Sequence, residues 1–120
     1  MILGHVRERF PRVLISLEGI DGSVDVEFVV DTGFDGDITL PPPLLSHFDI
    51  PVVSYIRVVM ADGSVRRVPA YEIEIDWDGE RRTIEAVRLE GRPLLGAVLL
   101  EGCNLQAEMV EGGEVSIDPI

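Results

Sequence analysis

Lysine is absent from this chain, which also has one cysteine, one tryptophan and two histidines among its 120 residues. Each scarcity excludes something. With Cys103 alone no internal disulfide can form, so nothing points to an oxidising compartment. His5 and His47 stand far apart, with no cysteine or histidine at ligand spacing, and a metal centre is not expected. All ten cations are arginines, set against 22 Asp and Glu, for a net charge of −12. Nucleic acid and anionic membrane would be repelled by such a surface, so neither is expected as a partner. No stretch approaches the roughly 20 apolar residues of a membrane span, and Met1 to Arg9 holds no apolar run of signal-peptide length. A soluble cytoplasmic protein is the expectation.

What is present fits one domain, residues 1–120, with 46% apolar residues and enough length for a single core. Its patterning is that of antiparallel β-structure. Arg12 to Glu18 alternates and is joined by a turn at Gly19–Ser23 to a strand over Val24–Val30. Asp37–Leu40 reads as a short strand stopped by three prolines, with a helical turn over Pro43–Phe48. Pro51–Met60 and Val65–Pro69 flank Asp62-Gly63, read as a two-residue hairpin turn, and Tyr71–Trp77 alternates before Asp78-Gly79 returns the chain into Arg81–Leu89. Leu94–Gly102 is the best helix candidate, and Asn104–Val110 with Glu114–Ile117 makes a last hairpin. Met1–Phe10 shows no clear period and reads as an extended arm.

The chemistry concentrates in Val26–Pro42. A β-branched and aromatic run, Val26 to Val30, leads directly into Asp31, Thr32 and Gly33. A strand heading into a core thus delivers a carboxylate onto a sharp turn, where burial costs several kcal/mol unless the charge is paired, hydrogen-bonded or neutralised. The plainest reading is an Asx-type turn between two strands. A calcium loop fails, because its third and twelfth positions would be Gly33 and Pro42 and its flanks are not helical.

Val-Val-Asp-Thr-Gly at 29–33, with Ile-Thr-Leu-Pro at 38–41, resembles the active-site segment of the retropepsin-like aspartic proteases, above all their small single-domain prokaryotic members. Leu94, Leu95 and Gly96, followed by Ala97–Glu101, match that family's second patch of two apolar residues and a glycine opening a short helix. Met60, Ala61, Asp62, Gly63 and Ser64 sit where the family has its flap.

The resemblance implies an all-β, retropepsin-like barrel with one or two short helices, active as a two-fold homodimer on peptide or protein substrates without a cofactor. Two carboxylates about 3 Å apart then share one proton and work as general base and general acid on a water. One Asp-Thr-Gly per chain means that Asp31 must meet Asp31 of a second copy. Such a coupled pair implies a bell-shaped rate centred at roughly pH 4 to 6. Thr32 and Gly33 would support the dyad, while Phe34, Asp35 and the flap residues Met60–Ser64 would line the substrate cleft. Phe34 departs from the small residue usual in the family, and Ala97 stands where the arginine partner of Asp35 would be. The family's termini knit its dimer, which implies that removing Met1–Glu8 or Ile117–Ile120 weakens association more than it unfolds the barrel. The alternatives are a proteolytically silent dimer of the same fold that binds peptides or a protein partner, and a β-domain that pairs through its edge strands.

Overall fold

A computed structural model describes residues 1–120. Ten strands and two one-turn helices follow in the order β1 (Ile2–Arg7), β2 (Phe10–Gly19), β3 (Gly22–Val30), β4 (Ile38–Leu40), α1 (Pro42–Leu45), β5 (Ser54–Val59), β6 (Val65–Trp77), β7 (Glu80–Arg88), β8 (Leu94–Leu95), α2 (Ala97–Leu100), β9 (Cys103–Ala107) and β10 (Glu114–Pro119). The strands form one mixed sheet in the order β5-β6-β7-β4-β8-β3-β2-β1-β10-β9. A further pairing of β6 with β2, at Leu17 and Ile75, closes six of them into a ring. Two contacts in that ring, β3 with β8 and β4 with β7, are parallel. No helix is long and apolar enough to cross a membrane.

Alternation explains the core. Val13, Ile15 and Leu17 of β2, Val26 and Phe28 of β3, and Ile73, Ile75 and Trp77 of β6 recur at period two and are buried together with Ile38, Leu95 and Leu99. Phe28 and Leu17 are fully buried. Closure of the ring follows from this pattern, since a one-residue slip of any strand would turn its apolar set outward.

The structure corrects several expectations. Residues 1–10 are not a loose arm: β1 is hydrogen-bonded between β10 and β2, and Ile2, Val6, Val115 and Ile117 lie in the core. Both terminal segments therefore belong to the barrel's own sheet, and their removal would empty the core before it loosened any dimer. The β1–β2 turn is Glu8-Arg9, with φ of 52° and 72°. This is the primed two-residue turn, built without the Asn, Asp or Gly that normally marks it.

Tyr71–Trp77 and Val65–Pro69 are one strand rather than two. Pro69 is tolerated because Ala70 directs its carbonyl to the Val53 N–H on the β5 side. Pro69 therefore faces the β7 side, where β7 has reached its last residue, and no ladder bond is lost. The hairpin after β5 turns through five residues, Met60–Ser64, not two. Finally, the helix candidate over 94–102 shrinks to Ala97–Leu100, because Leu94 and Leu95 are taken into the ring as β8 between β3 and β4.

Candidate active site

β3 ends at Val30, still buried, and Asp31 emerges half-buried at the point where the strand leaves the sheet. Its backbone is fixed on the β8 side, where the Asp31 N–H donates to the Leu95 carbonyl at 2.9 Å and the Val29 N–H donates to Pro93 at 2.9 Å. Beyond it the chain turns tightly. The Gly33 N–H donates to Asp31 Oδ1 at 2.9 Å, and the Phe34 N–H to the Asp31 carbonyl at 3.2 Å. The Asx-type turn is thus real, and it is the device that orients the carboxylate. A Cβ on Gly33 would stand 3.2 Å from Asp31 Oδ1, so glycine keeps the backbone donor close to the acid.

Thr32 and Gly33 are exposed. The loop behind them is not free. The Gly96 N–H donates to Asp37 O at 2.8 Å, the Ala97 N–H to Phe34 O at 2.8 Å and the Val98 N–H to Gly36 O at 3.1 Å, tying residues 34–37 to the start of α2. Phe34, expected in the cleft lining, is half-buried with its ring over two glycines. An added Cβ would come within 2.6 Å of the ring at Gly36 and 2.5 Å at Gly96. Sequence reading singled out Gly96 as part of a patch, but not as the seat of this ring.

Asp35 is exposed, with no cation within 4.0 Å. With Thr32, Ala97, Val98, Leu100 and Glu101 it lines an open hollow of about 350 Å³ beside the Asp31 turn. Two residues not anticipated as site supports tie down the chain that follows. Asp37 Oδ2 accepts from the Glu85 N–H at 3.0 Å, and the buried Thr39 hydroxyl oxygen accepts from the Leu94 N–H at 2.9 Å. They bind the returning strand to β7 and β8.

Of the expected flap residues, Met60 is half-buried and Ala61, Asp62, Gly63 and Ser64 are exposed. The tip is ordered by its own bonds: the Met60 N–H donates to Ser64 O at 2.8 Å, the Gly63 N–H to Met60 O at 2.9 Å, and the Ser64 N–H to Asp62 Oδ1 at 2.8 Å. Hydrogen bonds from the Ser64 side chain and backbone hold the Asp62 carboxyl below its ordinary range. Gly63 takes φ of +84°, which its lack of a Cβ permits.

A scan against protein-family models finds no match, and a search of curated proteins finds none. Among solved structures the chain is similar over its whole length to a retropepsin-like aspartic protease from Rickettsia conorii. The identity is 17%, the alignment covers 100% of this chain and 91% of that one, and the TM-score is 0.56. The fold of this chain is retropepsin-like, a mostly β mixed sheet with a ring of strands and two short helices.

Proposed function

We propose that the protein is an aspartic endopeptidase whose active site forms between two copies of the chain. The observation that carries this reading is the presentation of Asp31. A carboxylate whose backbone is locked to β8 and whose Oδ1 is held by the Gly33 N–H stands at the end of a buried strand, while Thr32 and Gly33 beside it are exposed. Val98, 45% exposed across the adjacent hollow, adds an apolar contact. A second copy related by a two-fold axis would cover these groups and bring its own Asp31 to the first.

In that arrangement one carboxylate is ionised and the other protonated, because two negative charges so close are mutually destabilising. The ionised Asp31 takes a proton from a water held between the two acids, and the water oxygen attacks the peptide carbonyl carbon. The protonated Asp31 of the other copy hydrogen-bonds the carbonyl oxygen as it gains charge. Proton return to the amide nitrogen then releases the amine. The Gly33 N–H, donating to Oδ1, holds the carboxylate in place.

The test is cleavage of a denatured protein by wild type and by Asp31→Asn, with an aspartic-protease transition-state mimic as inhibitor. Wild type should cleave and be inhibited, and the variant should lose at least about 1,000-fold in rate, the scale set by removing an acid–base group. Equal rates for the two proteins would refute the assignment.

A further inference from the structure

The most basic element of this acidic molecule is the β5–β6 hairpin. Between Ser54 and Pro69 it has three arginines and one aspartate, a charge of +2, so the remainder of the chain carries −14 to give the net −12. The molecule's ion pairs within 4.0 Å occupy the Met1 amine, Arg7, Arg12 and Arg81, and none reaches Arg57, Arg66 or Arg67.

Two of these arginines share one face. Ile73, Ile75 and Trp77 of β6 point into the core, and by alternation Arg67 and Val65 extend the same face beyond the barrel rim, where β7 has ended. Cross-strand pairing places Arg57 directly opposite Arg67, and Val59 opposite Val65. Tyr55 lies 5.1 Å beneath the Arg67 guanidinium. All of these side chains are exposed, Tyr55 by 56%, Val59 by 72% and Val65 by 49%.

Like charges directly opposite on a ribbon repel each other. An anion between them converts that repulsion into two charge-assisted hydrogen bonds. The surrounding valines and tyrosine fit an aliphatic or aromatic frame. A polyanion would meet the −14 of the remaining chain, whereas one carboxylate on a short segment would meet chiefly the two guanidiniums within a Debye length of about 8 Å.

Resting on the proteolytic reading, in which this hairpin covers the cleft, we propose that Arg57 and Arg67 clamp a Glu or Asp side chain of the substrate, so that the enzyme selects apolar segments bearing a single acidic residue.

The experiment uses labelled octapeptides in which one Glu is walked through an aliphatic frame, and the same set with Gln. Binding is followed by fluorescence anisotropy on Asp31→Asn protein, which separates recognition from turnover, and cleavage is followed on wild type. The proposal expects at least one Glu peptide to bind about tenfold tighter than its Gln counterpart. Arg57→Gln and Arg67→Gln should each remove most of that preference, Arg57→Lys should retain part of it, and 0.5 M salt should weaken it. Unchanged thermal unfolding checks that these exposed substitutions leave the fold intact.

Equal binding of Glu and Gln peptides, or no binding of either set, overturns the proposal, even if wild type proves to be a protease. Glu-selective, arginine-dependent binding without cleavage upholds the clamp while the protease reading fails. A loss of self-association in Arg57→Gln/Arg67→Gln with Glu and Gln peptides bound alike would assign the arginines to a second copy of the chain, and would also overturn it.

Discussion

The ring of Phe34 lies on Gly96: a Cβ at Gly96 would come 2.5 Å from Phe34 Cδ2 and 2.6 Å from the Phe34 carbonyl oxygen, and closer still to the carbonyl oxygen of Gly36. Gly96 has φ of −103°, an ordinary value, so space and not backbone freedom demands glycine there. The loop that follows Asp31 is held down through this contact. Gly96→Ala should therefore cost about 1–3 kcal/mol, the usual range for overpacking. Phe34→Ala in the same background should recover part of the loss, because the ring is one of three obstacles and the carbonyl oxygens of Phe34 and Gly36, which the substitution leaves in place, are the others. Urea unfolding of the two single variants and the double variant measures this coupling. Simple additivity would show that the ring and the glycine do not meet.

Thr39 makes a second prediction. It is 1% exposed, and its hydroxyl oxygen is the acceptor for the Leu94 N–H. Thr39→Val keeps the shape and leaves the half-buried Leu94 N–H without its partner, at a cost of about 1–3 kcal/mol. Thr39→Ser retains the acceptor and should lose less. Thermal unfolding ranks the three proteins, and a valine variant as stable as wild type would contradict the assignment.

The terminal strands supply a third. Since β1 lies between β2 and β10 and places Ile2 and Val6 in the core, deletion of Met1–Glu8 should abolish cooperative unfolding rather than release a folded monomer. A near-native melting transition at lower association would restore the picture of interlocking arms.

A fourth concerns pH. The Arg7 guanidinium donates to both oxygens of Glu27, at 3.0 and 2.5 Å, with Arg12 at 3.5 Å, and these contacts lower the Glu27 carboxyl below its ordinary value of 4.5. A depressed folded-state value means that the pair stabilises the fold above about pH 4.5 and that this contribution is lost as the pH falls through the lower folded value. Glu27→Gln should flatten the stability profile in that acid window and leave its slope near neutrality unchanged. Both groups are largely solvated, so 0.5 M salt should shrink the effect.

Much of the fold was legible because period-two burial and turn chemistry were written locally. The Asp78-Gly79 turn takes φ of 54° and 87°, as its residues require, and the apolar run into Asp31 did end a buried strand. Where the information is non-local, local reading failed. Glu8-Arg9 adopts a left-handed turn because β1 and β2 pair around it, not because its residues favour it. Leu94 and Leu95 are too short a strand to show a period, and only their bonds to β3 and β4 define them. At the candidate site, the turn of Asp31, Thr32 and Gly33 was legible in their order. The clamp of Phe34 by Gly36 and Gly96, and the opposition of Arg57 to Arg67, exist only through loop packing and register.

The central claim, one Asp31 from each of two copies, is tested most directly by mixing wild type with Asp31→Asn in varied ratios, under conditions where subunits exchange, and measuring cleavage at constant total protein. If each active site needs both carboxylates, mixed dimers are dead and the rate falls as the square of the wild-type fraction, to about one quarter at an equal mixture. A rate that falls only in proportion, to about one half, would mean that a single chain holds a complete site, and would contradict the account.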